Sequence, residues 1–128
     1  MSNTLMRRWF DEVWTKNNEV AIDQMLASDC LIHGLTDVAG NSVPARPAFR
    51  QFHRDLQQLF SALSITVESA TDNPDGTTTS RCKVVGTHKE SGKPVSFYGT
   101  AKIRVKDNQI CEAWNEFDLG EIEKQIVS

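Results

Sequence analysis

The chain is poor in the residues that usually announce chemistry. It has three cysteines, Cys30, Cys82 and Cys111, among 128 residues. They are odd in number, widely spaced and form no CxxC pair, so neither a disulfide framework nor a zinc site is expected. Each falls in a predicted strand, where a free thiol behaves as a small buried apolar group, and a reducing cytoplasm is the expected setting. The three histidines, His33, His53 and His88, show no H-x-H or H-x₃-H spacing, so no metal and no cofactor is expected. No apolar run approaches the roughly 20 residues of a membrane span. The opening MSNTLMRRWFDEVW is too polar for a secretory h-region. Charge of one sign is lacking too: 14 Lys and Arg face 17 Asp and Glu, a net of −3 with no basic stripe, which excludes a nucleic-acid partner. A glycine-rich phosphate loop, a nucleophile elbow, internal repeats and linkers are all missing, leaving a single domain over residues 1–128.

What the chain does have is alternation. In PVSFYGTAKIRVKDNQICEAWNEFDLG, Val95, Phe97, Gly99, Ala101, Ile103 and Val105 fall on one face of a strand, with Ser96, Tyr98, Thr100, Lys102 and Arg104 on the other. Period two of this kind marks a half-buried antiparallel strand. Asp107-Asn108 supplies residues that tolerate positive φ, as a tight hairpin requires. The returning strand puts Cys111, Ala113, Asn115 and Phe117 on the inward face, and Ile110, Glu112, Trp114, Glu116 and Asp118 on the other. Asn115 is thus a polar residue on a face that should be apolar. Two more strands are expected around Asn73-Pro74-Asp75-Gly76, one carrying Ile65 and Val67 and one over Thr77 to His88, and a short one at Cys30 to His33.

Ahead of the strands, apolar residues recur at helical spacing. Leu5, Met6, Trp9, Phe10, Val13 and Trp14 mark a wide stripe over residues 3–17, and Asn17-Asn18 breaks it. A second helix runs to Leu26. A third starts at Arg46-Pro47 and continues to about Ala62. Gly34 to Ala45 is expected to be a loop, and Leu119 to Val127 a short amphipathic tail. Helices first and meandering strands after them argue α+β, with a curved, mainly antiparallel sheet wrapped over three N-terminal helices and a conical pocket between the layers.

The stretches LASDCLIHG, PAFRQFHRDLQQLFSAL and VVGTHKESGKPVSFYGTAKIRVKDNQICEAWNEFD, in this order after two helices, resemble the SnoaL-like (polyketide cyclase-like) family of the nuclear transport factor 2-like superfamily. The resemblance covers nearly the whole chain. It implies a cone-shaped α+β barrel with an internal pocket, a homodimer packed through the sheet, and no cofactor. Enzymes of the group use a pocket carboxylate as acid or base. In this chain the candidates for that place near the last-strand Trp are Asn115, Glu116 and Asp118. Face alternation puts Asn115 inside, whereas a bulge at Trp114 would bring Glu116 inside instead. Lys83 stands where the epoxide-hydrolase pattern wants an Asp two residues after Arg81.

The candidate site follows. Asn115, His88 and Asp118 are the candidate catalytic residues: His88 or Asp118 to move a proton, Asn115 to orient or polarise a carbonyl. His33, Phe52, Phe97, Gly99, Ala113 and Phe117 are expected to line the pocket, with Gly99 leaving room for a ligand atom. His53, mid-helix, is expected on a solvated face. Trp114, Tyr98 and Ile110 are expected on the outer sheet face, as contacts with a second copy. Three functions stay open: binding of a small hydrophobic molecule, cyclase- or isomerase-type acid/base catalysis, or an interaction module with a filled pocket. A cavity of about 300 Å³ or more would favour the first two.

Overall fold

The N-terminal apolar residues come in adjacent pairs, Leu5-Met6, Trp9-Phe10 and Val13-Trp14, and an α-helix cannot hold all of these on one narrow stripe. In the computed structural model, which describes residues 2–35, 43, 45–117 and 120–127, helix α1 (Ser2–Arg8) widens into a π-helical segment, Trp9–Thr15. Its closing bond runs from the Lys16 N–H to the Asp11 carbonyl. The wider turn lets Trp9, Phe10, Val13 and Trp14 all be buried. Asn17 then adopts φ 53°, a left-handed conformation that asparagine tolerates, and ends the helix where the sequence predicted a break. Helix α2 (Val20–Met25) buries Ala21, Ile22 and Met25, and runs directly into strand β1 (Leu26–His33). Helix α3 (Arg46–Leu59) has Pro47 in its first turn and buries Phe49, Phe52, His53 and Leu56.

Four strands follow: β2 (Phe60–Asp72), β3 (Thr77–His88), β4 (Pro94–Lys106) and β5 (Gln109–Phe117), then helix α4 (Gly120–Val127). The five-stranded sheet has the order β1-β5-β4-β3-β2. Only β1 pairs parallel, with β5; the other pairings are antiparallel. The sheet stays open, with β1 and β2 at its edges, and covers the helices on one side. This is the α+β arrangement expected, although α3 ends three residues early, at Leu59. Ala62 stands at φ 54° where the β2–β3 register shifts between Ser61 and Ser64, so the chain turns into the sheet instead of continuing the helix.

The face assignment of β4 holds from Val95 to Ile103: Val95, Phe97, Gly99, Ala101 and Ile103 are buried, and Tyr98 is 42% exposed on the other side, while Val105, beside the β5 bulge, is only half-buried. Asp107 and Asn108 both have positive φ, giving the primed turn that such a hairpin favours. In β5 the expected alternation fails at its first residues. Arg104 pairs with Glu112 but Val105 with Ile110, so Cys111 is an extra, bulged residue. Ile110 is therefore 1% exposed and belongs to the core, not to the outer face. Cys111, expected inside, is only half-buried, with its thiol on the Arg104 carbonyl. Beyond the bulge, alternation resumes and Ala113, Asn115 and Phe117 face the helices.

His53 departs most from expectation. It is 1% exposed, packs against Trp14 with the rings tilted at 59° and 4.9 Å between their centres, and places Nε2 2.7 Å from the Val13 carbonyl. That carbonyl lies in the last turn of the π-helical segment, where no backbone donor is available. The Gln57 side chain likewise donates to the Trp14 carbonyl, so α3 caps the first helix through two side chains one turn apart.

Candidate functional site

Strand period decides which β5 residues look inward, and the aromatic helix faces decide what they meet. Phe97 of β4 and Phe117 of β5 face a wall made by Trp9, Phe10 and Trp14 from the first helix and Phe49, Phe52 and Leu56 from α3. The rings hold one another at edges and tilts: Trp9–Phe49 at 5.2 Å, Trp14–Phe49 at 5.8 Å and Trp14–Phe52 at 5.9 Å. Between wall and sheet lies a chamber of about 60 Å³. A smaller chamber of about 30 Å³ adjoins it over β1 and the start of β5, lined by Ile32, Ala101, Ile110 and Ala113 among others. Both are far below the roughly 300 Å³ of an ordinary small-molecule site. Aromatic side chains fill most of the space between sheet and helices.

Asn115 borders both chambers, and among their described lining residues it is the only side chain that is neither hydrocarbon nor indole. Its Nδ2 donates to the His33 carbonyl at 3.4 Å, and among the described residues the amide has no other hydrogen-bond partner. Gly34 makes this arrangement possible. With φ 75°, it lies so close that a Cβ there would stand 2.2 Å from the Asn115 carbonyl oxygen. None of the described lining residues can exchange a proton near neutral pH.

The other expected site residues divide. Phe52, Phe97 and Phe117 line the larger chamber and Ala113 the smaller. Gly99 does not leave room for a ligand: a Cβ there would be 2.2 Å from the Phe117 ring, so the missing side chain is what seats that ring. His33 pairs in register with Trp114 on the outer face, stacked at 5.5 Å, with Nε2 bonded to Glu112 at 2.7 Å. Its ring therefore lies outside the chambers, because Ile32, not His33, takes the inward place in β1; only its carbonyl reaches Asn115. His88 accepts at Nδ1 from the Ser91 N–H and lies 2.8 Å from the Ser91 hydroxyl, packed against Phe60 and lining neither chamber. Asp118 lies outside the described residues. Glu116 is exposed, in an open cleft of about 440 Å³ with His33, Thr100, Lys102, Trp114 and Asn115, so Asn115 borders this cleft as well as the chambers.

On that outer face the aromatics carry cations. The Arg81 guanidinium lies 4.5 Å from the Tyr98 ring centre and the Lys102 ammonium 4.6 Å from that of Trp114. Among the described residues no group of three His, Cys, Asp or Glu side chains could hold a metal ion, and no helix is long and apolar enough to cross a membrane.

The arrangement of helices and sheet is shared with solved structures of low sequence identity. IdmH, a candidate polyketide cyclase from Streptomyces antibioticus, superposes with a TM-score of 0.86 at 20% identity, over 100% of this chain and 99% of its own. A hypothetical protein of ketosteroid isomerase-like fold from Catenulispora acidiphila DSM 44928, in complex with trimethylamine, gives 0.81 at 16% identity over 99% and 95%. A candidate SnoaL-like polyketide cyclase from Jannaschia sp. CCS1 gives 0.80 at 17% identity over 99% and 92%. No curated protein sequence matches the chain. The profile of the SnoaL-like polyketide cyclases matches residues 4–126, nearly the whole chain, and the protein belongs to that family.

Proposed function

We propose that this chain binds a small, uncharged, largely apolar molecule in the chamber between helices and sheet, with Asn115 as its hydrogen-bonding contact. The observation that carries this reading is one amide on an otherwise apolar, aromatic wall; the chamber volumes by themselves fit the filled-pocket alternative, so a ligand enters only where wall side chains give way. The Asn115 amide is only half-buried and also borders the open outer cleft, so water can reach the donor and acceptor that His33 leaves unused, and a ligand oxygen would replace that water. Membership of a family with polyketide cyclases supports a small-molecule ligand. Acid/base catalysis by His88 has less support, since its ring is tied to Ser91 and borders neither chamber. Asn115 can orient or polarise a carbonyl but cannot take its proton.

Acetophenone, an apolar ring with a carbonyl, is a suitable probe for calorimetry and for quenching of Trp9 and Trp14 fluorescence. The wild type is expected to bind it. Asn115→Leu is expected to bind about 2–10-fold more weakly, the worth of one net hydrogen bond, with a nearly unchanged melting midpoint. Equal affinity in the two proteins removes Asn115 from the site.

The outer sheet face supports a second copy of the chain as partner. Tyr98 is 42% and Leu31 58% exposed there. Both cations and carboxylates lie on the same face, a pattern that can complement itself across a two-fold axis. Light scattering at tens of micromolar should give a dimer, and Trp114→Glu a monomer. A monomeric wild type contradicts the dimer.

A further inference from the structure

Chambers of about 60 and 30 Å³ hold a few water molecules and no ring, so a ligand of ordinary size requires part of the wall to move. Most of the wall is firmly tied. His53 and Gln57 join α3 to the Val13 and Trp14 carbonyls of the first helix, and Arg50 and Arg54 pair with Glu19 ahead of α2. The first helix is bound in turn to the edge of the sheet, where the Thr15 hydroxyl accepts from the Ile65 N–H. The strands hold one another by backbone pairing. Helix α4 is held differently.

At eight residues, α4 is well short of the roughly 12–15 residues that an isolated helix needs in water, so its order comes from docking. It docks on an unfinished edge of the sheet. The described pairing of β5 with β4 ends at Phe117 and Gly99, whereas β4 begins earlier, at Pro94. Gln125 takes the vacant place. Its side-chain amide accepts from the Ser96 N–H at 2.8 Å and donates to the Ser96 carbonyl at 2.7 Å, the two bonds that a neighbouring antiparallel residue would exchange. Both bonds are exposed to solvent. Ile122, three positions earlier on the same helical face, packs on the core and lines the larger chamber. It shares that lining with Val95 and Phe97 from the start of β4 and Phe117 from the end of β5. One face of α4 thus closes the chamber and holds the sheet edge.

We infer that α4 is the lid of the binding chamber, held shut by the Gln125 amide on the Ser96 backbone, and that ligand enters and leaves when this helix lifts. This rests on the proposal that the chamber is a binding site, and it adds the way in and the residue that controls it. Lifting α4 takes Ile122 out of the wall and leaves the ring contacts between the first helix and α3 intact. The Ser96 N–H and carbonyl then pass to water, a small loss at an exposed edge.

The test follows acetophenone association and dissociation by stopped-flow quenching of Trp9 and Trp14, and hydrogen exchange of the α4 amides, in the wild type, Gln125→Ala and Gln125→Leu. Leucine keeps an apolar side chain and loses the amide. Near-ultraviolet circular dichroism establishes that each protein is folded, and either folded variant suffices. Two net hydrogen bonds correspond to about 5–100-fold in the opening equilibrium. The backbone amides of Lys124 and Gln125 should therefore exchange at least about fivefold faster in the variants, and both rate constants for acetophenone should rise by a similar factor. Opening speeds entry and exit alike, so the dissociation constant and the melting midpoint should hardly change. Faster exchange with unchanged acetophenone rates overturns the lid and leaves the binding function standing. Unchanged exchange in the folded variants overturns the hold assigned to Gln125. Failure of all three proteins to bind acetophenone overturns the binding function itself, and the inference with it.

Discussion

Trp14→Ala should lower the stability of this protein by about 3–5 kcal/mol, the cost of replacing a buried tryptophan by a methyl group. Trp14 is 5% exposed and touches Phe49, Phe52 and His53 with its ring. Each aromatic pair contributes about 0.5–1.5 kcal/mol beyond the area it buries. The surroundings cannot close over the gap easily, because the indole already borders the larger chamber and its loss extends an existing void. Most small domains have only about 5–15 kcal/mol in all, so the loss is a large share. Urea titration should show a fall in midpoint with little change in slope. A loss below about 1 kcal/mol would mean that the rings repack freely, and the aromatic wall would then be no fixed boundary for a ligand.

The second large effect is a loss of stability on mild acidification, set by His53. Its Nε2 hydrogen is committed to the Val13 carbonyl, and Nδ1 is buried with no hydrogen-bond partner among the described residues. The ring is therefore neutral. Burial pushes its pKa below the ordinary histidine value, with the Arg50 and Arg54 charges acting the same way; the Val13 carbonyl and Glu19 oppose them. A base with a lowered folded pKa binds its proton more readily when unfolded. Its contribution is thus complete above the unfolded value, near pH 6.5, and falls as the pH drops below it, by up to about 1.4 kcal/mol per pH unit until the folded ring also protonates. Protonation would add an N–H at Nδ1 with no acceptor for it.

Chemical denaturation between pH 7.5 and 5 checks this, with His53→Gln as the control; glutamine can donate to Val13 without titrating. The wild type should lose stability across that window and the variant should lose markedly less. Parallel curves would place the pH dependence elsewhere. The carboxylates give a separate signal. The Arg54 and Arg50 guanidinium groups hold Glu19 down at about 2, and Arg50 likewise holds Asp23 below its usual value. Their contribution is present above the ordinary carboxylate range and is lost only as the pH falls well below 5. These pairs are solvent-exposed, so salt weakens them, whereas the buried His53 effect persists in salt.

Local backbone chemistry was legible in the chain itself. The faces of β4 from Val95 to Ile103, the left-handed turn at Asp107-Asn108 and the break at Asn17 depend on residues a few positions apart, and each appears where the pattern put it. The α+β class and the family followed as well, because the order of helices and strands is written along the chain. Period two favoured Asn115 over Glu116 for the side facing the helices, but only the pairing with β4, which has no bulge at Trp114, decided between them, and Asn115 borders the outer cleft as well.

Tertiary structure decided whatever depends on a distant partner. The bulge at Cys111 exists only in relation to β4, and it moved Ile110 from the expected outer face into the core. His33 went to the outer face because β1 aligns parallel with β5 and stacks it on Trp114. His53 was buried because a helix end 40 residues earlier needed a hydrogen-bond donor. Gly99 reads in sequence as open space and in the fold as the seat of the Phe117 ring. The volume of the chambers is likewise a property of how rings from three segments meet, for the same residues could enclose a large pocket or fill it.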